Sequence, residues 1–345
     1  MVHSMLRFSF ARPDPDPVEQ SGVFRAALEM VRWADTQGVD SFTVDEHHVT
    51  GFGWSANPIL EAGCFLAATS RMTAWVACVL GPLWNPIRLA EDIAIVDQLS
   101  GGRLMVTVGL GYRPIEYAAI DVDFERRGRL LDNVLETVLK AWSGAPFEYN
   151  GTTIAVTPVP LTKPTPHLSV GGAVRATARR AVRFGLPLDI PKPAPEIKAY
   201  YEQLCAESGV EPRVRMATLD NLPAVFVHED PERAWAQLGQ HFAWEAIEYG
   251  KWATSDMGSV MHLHGVQTLD EVRRSNTYLI ISPDDLVDLL ASRGPDATMN
   301  LYPLCGGMPI DEGWKSLHLL TDNVLPRLRA RAEGVSGDAP SRPGS

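Results

Sequence analysis

The sequence lacks several features that would assign it to a specialised class of protein. It contains no run of about 18 apolar residues, so we expect no helix that spans a membrane. Residues 1–5 show no basic region leading into an apolar one, which argues against a secretory signal. The four cysteines form no Cys-x-x-Cys pair, so we expect neither a disulfide framework nor a zinc site. This cysteine usage predicts a reduced, cytoplasmic protein.

Basic residues and nucleotide-binding motifs are also scarce. The chain has 31 Lys and Arg against 42 Asp and Glu, a formal net charge of −11, which disfavours a nucleic-acid partner. No Gly-x-Gly-x-x-Gly motif follows the first predicted strand, so the sequence shows no nicotinamide-binding motif. Hydrophobic residues make up 45% of the 345 positions and charged residues 21%, as is ordinary for a globular protein with a large core.

The sequence does contain an alternation of strand and helix patterns along its whole length. The predicted strands cover residues 6–10, a stretch ending at 45, and residues 74–80, 104–108, 167–170, 186–190, 221–227 and 298–304. Such alternation implies a parallel sheet with right-handed crossovers. Eight units in this length fit an α/β protein with a closed (β/α)8 TIM barrel, and an open doubly wound sheet is the alternative.

The pattern shows no internal linker, so we expect a single domain over residues 1–332. A hairpin-like insertion is predicted at 147–166, with Asn150-Gly151 as its turn. Residues 251–276 have little periodicity and are rich in Trp, Met, His and Gly, which predicts a lid-like segment. The stretch 333–345 is rich in Gly, Ser and Pro and is predicted to be disordered.

Ionisable side chains gather where the second predicted strand ends, at Asp45-Glu46-His47-His48 before a glycine-rich turn. In a parallel α/β protein this edge of the sheet carries the chemistry. Consecutive strand residues point to opposite sides, so at most one of the two histidines faces the centre. A histidine here can exchange a proton with a bound heterocycle near neutral pH. Adjacent residues rarely chelate one ion, so no metal site is expected.

Two later strand ends carry glycines. Gly171-Gly172 begins a helix and offers backbone N–H groups to an anion, with Arg175 as an added charge. A plain strand-to-helix turn explains the two glycines equally well. Gly109-Leu110-Gly111 leaves room for a flat ligand, or marks a bulge.

Large apolar residues and two further histidines lie in predicted loops and strand ends. The candidates for a substrate pocket are Phe8, Phe10, Trp54, Trp84 and Trp252. A further set either joins this pocket or packs in the core, and consists of Trp235, Phe242, Trp244 and Met257. His262 and His264 could bind a metal, but we favour a role as residues of the lid-like segment.

Several motifs together resemble those of the bacterial luciferase-like flavin monooxygenases. They are Glu46-His47-His48-x-Thr50-x-Phe52-Gly53-x-x-x-Asn57-Pro58, Asn85-Pro86-x-Arg88-x-Ala90-Glu91-Asp92, Asp97-Gln98-Leu99-Ser100-Gly101-Gly102-Arg103, Gly109-x-Gly111-Tyr112, Trp142-x-Gly144 and the helix start at Val170-Gly171-Gly172. The spacing holds from about residue 6 to about residue 330. The combination is specific for the family and does not indicate the substrate.

The resemblance implies a homodimer that holds a flavin at the mouth of the barrel. It implies catalytic roles for His47, the match to the family's active-site histidine, and its neighbour His48. Ala77-Cys78 falls where the family has a non-proline cis peptide against the flavin ring. The implied cofactor-binding residues are Glu46, Ala77, Cys78, Gly109, Gly111, Tyr112, Gly171, Gly172, Ala173, Val174 and Arg175.

The implied activity is that of a two-component monooxygenase. Reduced FMN, supplied by a separate flavin reductase, reacts with dioxygen to a flavin 4a-hydroperoxide, and one oxygen atom enters a small apolar organic substrate. One departure concerns Gly109 and Leu110, where luciferase has a Cys-Arg pair whose Arg helps to hold phosphate. This departure suggests two alternatives, loose use of FMN or a deazaflavin-dependent hydride-transfer oxidoreductase on the same barrel. A flavin-binding protein without catalysis is a third hypothesis, against which the lid-like segment argues.

Overall fold

Strands and helices follow one another as the sequence pattern predicts. The computed structural model describes residues 2–252 and 258–337. Its strands are β1 (His3–Phe8), β2 (Ser41–Val44), β3 (Thr73–Leu80), β4 (Leu104–Gly109), β5 (Phe147–Tyr149), β6 (Thr152–Ile154), β7 (His167–Gly171), β8 (Leu188–Ile190), β9 (Val214–Met216), β10 (Ala224–Val227), β11 (Tyr278–Ile281) and β12 (Thr298–Leu301).

Most helices follow a strand, and several share one kind of start. The helices are α1 (Pro17–Gln37), α2 (Pro58–Ala67), α3 (Pro86–Ser100), α4 (Pro114–Ala119), α5 (Arg127–Trp142), α6 (Arg175–Phe184), α7 (Pro195–Ser208), α8 (Pro231–Gly250), α9 (Leu269–Arg274), α10 (Pro283–Arg293), α11 (Ile310–His318) and α12 (Leu325–Gly337). In α1, α2, α3, α8 and α10 a capping Asp, Asn or Ser side chain accepts N–H groups of the first turn, and a proline follows it. Proline fits there because its missing N–H is not needed.

The strands other than β5 and β6 form one parallel sheet, in the order β11-β10-β12-β1-β2-β3-β4-β7-β8-β9. The last strand pairs with the first, from His3 opposite Thr298 to Leu6 opposite Leu301. This pairing of the first and last predicted strands is the one expected for a barrel. Each of the eight predicted strands is present, and the predicted TIM-barrel class is confirmed.

Two strands of this sheet were not predicted. β9 has only three residues, and β11 is a short apolar run directly after the predicted lid-like segment. Neither is long enough to show a clear period of two, so local pattern does not reveal them. In the described ranges, hydrogen-bonded pairing of the sheet ends at β9 on one side and at β11 on the other.

The inserted segments agree with the predictions in part. β5 and β6 form the expected hairpin, and both turn residues, Asn150 and Gly151, have positive φ. The lid-like segment is more regular than expected, because the capping box of Thr268 and Glu271 begins α9 within it. Helix α12 continues to Gly337, into the stretch 333–345 that was predicted to be disordered. Residues 253–257, which include Met257, and residues 338–345 lie outside the described residues.

Two clusters of buried apolar side chains surround the barrel. The larger cluster includes Phe8 and Phe10, each 1% exposed, which pack against Phe65. The smaller cluster includes Trp235 and Phe242, so core packing accounts for this pair. None of the helices in the described ranges is both long and apolar enough to cross a membrane.

Candidate active site

A cavity of about 260 Å³ opens at the ends of the parallel strands where the chain passes into its loops. It brings together residues from almost every part of the barrel. The predicted site residues that line it are Glu46, His47, Ala77, Cys78, Gly109, Gly111, Tyr112, Gly171, Gly172, Ala173 and Val174. These residues come from four different strand ends, so their meeting depends on the barrel.

One wall of the cavity is bare backbone. The Ala77–Cys78 peptide bond is cis, as the resemblance implies. A Cβ atom added at Gly109 would lie 2.8 Å from the sulfur of Cys78, and one added at Gly171 would lie 2.8 Å from Cγ2 of Thr107. Both distances are shorter than real Cβ contacts, so a larger residue at either position would displace the neighbouring side chain. The wall therefore leaves room for a flat ligand.

The start of helix α6 forms the neighbouring part of the wall. Its N-cap residue, Val174, makes no side-chain hydrogen bond to the first turn, and the side chain of Thr177 lines the cavity. An uncapped helix start presents N–H groups and a partial positive charge, which suits an anion. Arg175 does not line the cavity. Its guanidinium lies 4.5 Å from the centre of the Tyr200 ring, so the expected added charge is not directed at this site.

His47 is buried and held by a carboxylate that the sequence analysis did not identify. Its Nδ1 lies 3.0 Å from Oε1 of Glu116, which is fully buried. The same oxygen accepts the backbone N–H of His48 at 3.1 Å and Nη1 of Arg113 at 2.9 Å. Burial by itself raises the pKa of the Glu116 carboxyl, but the hydrogen bonds from His47 and His48 and the charge of Arg113 lower it below its ordinary value. Glu116 is therefore a carboxylate that orients His47.

Glu46 organises the other side of the same loop. Its carboxylate accepts the backbone N–H of Leu80 at 2.7 Å and the indole N–H of Trp84 at 2.9 Å, and it bonds to Nε2 of His48 at 2.8 Å. The hydrogen bond to Glu46 raises the pKa of His48. Neither His48, predicted to be catalytic, nor Trp84, predicted to face the substrate, lines the cavity. Both side chains instead form hydrogen bonds with Glu46.

Aromatic rings enclose His47. The ring centres of Trp54, Trp252 and Tyr249 lie 5.5, 5.1 and 5.6 Å from that of His47. Of these three residues only Tyr249 lines the cavity, while the indole of Trp54 donates to Asp45 at 2.8 Å. Of the predicted substrate-pocket residues, Trp54 and Trp252 therefore contact His47 without lining the cavity, and Phe8 and Phe10 lie in the core.

Polar and charged side chains also line the cavity, which the sequence analysis did not anticipate. Most TIM barrels fill this space with branched apolar side chains. The polar or charged side chains lining it here include Arg7, Thr43, Trp75, Thr107, Asp189, Arg215 and Asn300. We call this set the polar floor. The alternation of side chains along each strand could have indicated that Arg7, Thr43 and Thr107 face inwards.

Two ion pairs belong to the polar floor. Nε of Arg215 donates to Asp189 at 2.9 Å, and its guanidinium lies 3.9 Å from the centre of the Trp75 ring. Nη2 of Arg7 donates to Asp45 at 2.6 Å, but Nε of Arg7 is buried without a hydrogen-bond partner among the described residues.

The carboxyl group of Glu61 is connected through Ser55 to the loop that carries His47, and its contribution to stability depends on pH. The hydroxyl of Ser55 donates to Glu61 at 2.6 Å, and the carbonyl of Ser55 accepts the N–H of His47. Burial, with the nearby charges of Asp45 and Glu46, raises the pKa of Glu61 to about 8. Glu61 is therefore protonated at neutral pH in the folded protein.

This raised pKa predicts how stability changes with pH. The contribution of Glu61 to stability is complete below its unfolded pKa of about 4.5 and is lost as the pH rises through its folded pKa of about 8. A Glu61→Gln variant keeps an acceptor for Ser55 and cannot ionise, so its melting temperature should fall less between about pH 5 and about pH 9. Thermal unfolding across this range checks the prediction, with the exposed Glu125→Gln as control. Parallel curves for Glu61→Gln and the wild type would contradict it.

No group of three or more His, Cys, Asp or Glu side chains in the described ranges is arranged to hold a metal ion. Both ring nitrogens of His262 take part in hydrogen bonds, to Ser259 and to Tyr112. His264 is exposed. The two histidines therefore do not converge on a common site.

Comparison with known proteins identifies the family. The family model described as luciferase-like monooxygenase matches residues 5–278. The chain belongs to the luciferase-like monooxygenase family. It is 27% identical over 184 residues to the oxygenase component of flavin-dependent trigonelline monooxygenase from Acinetobacter baylyi, which covers 51% of this chain and 50% of that protein. It is 28% identical over 173 residues to an FMNH2-dependent dimethylsulfone monooxygenase from Pseudomonas putida, covering 48% and 44%. The chain thus matches about half the length of these curated relatives.

Solved structures show the same fold for this luciferase-like protein. Monooxygenase RslO1 from Streptomyces bottropensis superposes with a TM-score of 0.74 at 22% identity, covering 94% of this chain and 99% of that one. The oxygenating constituent of 3,6-diketocamphane monooxygenase from Pseudomonas putida, in complex with FMN, gives 0.67 at 18% identity with the same coverage. An F420-dependent secondary alcohol dehydrogenase gives 0.63 at 18% identity, covering 95% and 99%. At these identities the likeness concerns the fold alone.

Proposed function

We propose that this protein is the oxygenase component of a two-component flavin monooxygenase, which uses reduced FMN and dioxygen to oxygenate a small organic substrate. The observation that carries the proposal is one cavity that combines the bare Ala77–Cys78 peptide, the uncapped start of α6 and the buried His47–Glu116 pair. Similarity to FMNH2-dependent relatives supports it. A separate flavin reductase would supply the reduced cofactor, in agreement with the absence of a nicotinamide motif.

The residues present fit FMN. Gly109 and Gly171 leave the backbone near Ala77–Cys78 accessible to a flat ring. The start of α6, with Ala173 and Val174, would hold the phosphate. Leu110 lines the cavity where luciferase has Arg, so the helix start would carry more of the phosphate binding.

Reduced FMN, when bound, supplies the reaction with dioxygen, which no side chain can perform. The protein contributes enclosure and a proton. Because Glu116 accepts the hydrogen on Nδ1 of His47, Nε2 is the nitrogen that can take up or release a proton towards the cavity. The Glu116 carboxylate stabilises the imidazolium that forms when Nε2 takes up a proton. Tyr249 and the segment Gly258–His262 cover the cavity and limit access of water.

The polar floor refines the expected substrate. The sequence analysis predicts an apolar molecule, and the apolar side chains of Leu80, Leu110 and Met261 in the cavity wall agree with that. We propose that the substrate also carries a hydrogen-bond acceptor such as a carbonyl oxygen. The side-chain amide of Asn300, which lines the cavity, would bind this group.

The decisive experiment is a titration of the purified protein with reduced FMN and, separately, with a reduced deazaflavin, followed by rapid mixing with dioxygen. We expect tight binding of reduced FMN, consumption of dioxygen and a slow return of the oxidised FMN absorbance. Tight deazaflavin binding without dioxygen consumption would favour the hydride-transfer alternative. FMN binding without any oxygen chemistry would favour a non-catalytic flavin-binding protein.

The same mixing experiment tests the role of His47. In His47→Ala the rate at which bound reduced FMN is oxidised should change by about 100-fold or more, which is the usual size of a lost acid–base group. FMN affinity should change little, because the bare backbone wall and the start of α6 remain intact. An oxidation rate equal to that of the wild type would contradict the assignment.

We also propose that the protein is a homodimer. Helices α2 and α3 leave large apolar side chains exposed, with Leu60 63% and Leu99 69% accessible to solvent. The resemblance to the luciferase-like family implies this assembly, in which an interface between subunits would cover such side chains. Light scattering on the purified protein measures the mass directly, and the mass of a single chain would contradict the proposal.

A further inference from the structure

The cavity wall formed by Gly258–His262 contains a second buried histidine with an unusual set of hydrogen bonds. The backbone N–H of Ser259 lies 2.8 Å from Nδ1 of His262, and the Ser259 hydroxyl lies 3.1 Å from the same nitrogen. A backbone N–H can only donate, so Nδ1 must be unprotonated. In the neutral ring the hydrogen is therefore on Nε2.

This tautomer determines the direction of the next hydrogen bonds. Nε2 of His262 lies 2.8 Å from the hydroxyl oxygen of Tyr112 and must donate to it. The hydroxyl hydrogen of Tyr112 can then point to Nε2 of His47, 3.4 Å away, or to the hydroxyl of Tyr249, with which Tyr112 also interacts. That distance is long, as is common for catalytic hydrogen bonds before the ligand binds.

The chain continues in the same direction through His47. The carboxylate of Glu116 only accepts, so the hydrogen of His47 is on Nδ1 and Nε2 is an acceptor for Tyr112. Donors and acceptors therefore agree from His262 through Tyr112 and His47 to Glu116, with the Tyr249 hydroxyl as the competing acceptor for Tyr112. This agreement links the cavity wall to the predicted catalytic residue.

The surroundings keep His262 neutral. Its burial, followed by the charges of His47, His264 and Arg7, lowers its pKa well below the ordinary value. The ring also lies on that of Tyr249, with centres 3.8 Å apart. The N–H of Val260 donates to the carbonyl of Pro191 at 2.9 Å, which connects the segment Gly258–His262 to the end of β8.

We propose that His262 is a positioning residue, which directs the hydroxyl proton of Tyr112 to Nε2 of His47 from the segment Gly258–His262 of the cavity wall. The hydrogen bond between His262 and Tyr112 then connects the position of this part of the cavity wall with the hydrogen-bonding state of His47. The catalytic consequence rests on the proposed function, whereas the hydrogen-bond chain can be tested without it.

The first test uses the flavin-free protein labelled with ¹⁵N in its histidines. Long-range ¹H–¹⁵N spectra report which ring nitrogen carries a hydrogen. We expect His262 to be protonated on Nε2 and His47 on Nδ1. Protonation of His262 on Nδ1 would overturn the proposal, because Ser259 could then not donate to that nitrogen.

Four variants test whether the contact reaches His47. His262→Phe removes the donor, and Tyr112→Phe removes the hydroxyl while keeping the ring; both should shift the Nε2 resonance of His47. His262→Gln retains an amide N–H for Tyr112 and should restore part of the wild-type position. The control His264→Gln, exposed and two residues away, should leave it unchanged. If neither Phe variant shifts the resonance, the proposal is wrong; if His262→Phe does not fold, Tyr112→Phe decides alone.

A kinetic arm connects the contact to catalysis. The pH profile for oxidation of bound reduced FMN should change in the same way in His262→Phe and Tyr112→Phe, and His262→Gln should lie between them and the wild type. Equal profiles in all variants would overturn the positioning role. If reduced FMN does not bind at all, the proposed function fails, but the spectra of the flavin-free protein still decide the hydrogen-bond chain.

Discussion

Replacing Glu116 with alanine should lower the free energy of unfolding by about 3–5 kcal/mol, the usual result when one partner of a buried ion pair is removed. The carboxylate is fully buried and accepts three hydrogen bonds, from His47, His48 and Arg113. Without it, the Nδ1–H of His47 remains buried and loses its acceptor, while Nη1 of Arg113 keeps only the carbonyl of His48. Urea unfolding followed by circular dichroism measures the change, with the same slope required for both proteins.

Two further variants separate the charge from the shape of this side chain. Glu116→Gln retains an oxygen that accepts from His47 and His48, so it should lose less stability than the alanine variant. The exposed Glu125→Ala should change the free energy of unfolding by less than about 0.5 kcal/mol. If Glu116→Ala were as stable as Glu125→Ala, the buried carboxylate would not be what holds this loop in place.

Replacing Gly172 with alanine should weaken FMN binding by about 10- to 100-fold. The residue has φ of +145°, and an added Cβ would lie 2.8 Å from Oγ1 of Thr177, so the start of α6 must shift. Losing one or two hydrogen bonds to a charged phosphate costs about 1.5–3 kcal/mol, and each 1.4 kcal/mol is about tenfold in affinity. Fluorescence titration with FMN measures the loss.

Riboflavin provides the internal control, because it carries the same ring without the phosphate. Its affinity should be almost the same for Gly172→Ala and the wild type. Gly185→Ala, at the other end of α6, also places alanine at a positive φ but in open space. This variant should bind FMN normally even if it is less stable. Equal losses for FMN and riboflavin would show that Gly172 does not act through the phosphate.

The fold was largely predictable because its signals are local. Each predicted strand shows its own apolar run, and a cap followed by proline marks the start of helices such as α3 and α10. The hairpin was evident from Asn150-Gly151, since few other pairs adopt positive φ at both positions. The short strands β9 and β11 could not be predicted, because their pairing partners β8 and β10 stabilise them more than their own sequence does.

The site was predictable where backbone conformation demands a residue type. Gly171 and Gly172 are needed for a close approach and an unusual φ, and they line the cavity as expected. Arg175 was predicted to lie at the cofactor site, but its guanidinium packs over the ring of Tyr200 on the next helix. The substrate-pocket prediction for Phe8 and Phe10 also differs from the structure, since both rings lie in the core, Phe8 at the end of β1 and Phe10 just beyond it.

The sequence by itself determined the order of strands and helices, the glycine-rich strand ends and the loop that carries His47. The tertiary structure alone decided which side chains act on that histidine. Glu116 and His262 lie 69 and 215 positions from it along the chain (116 − 47 and 262 − 47), and no local pattern connects them. Their convergence follows from the closure of the barrel, because hydrogen bonds between distant side chains form only after parallel strands have brought their ends together.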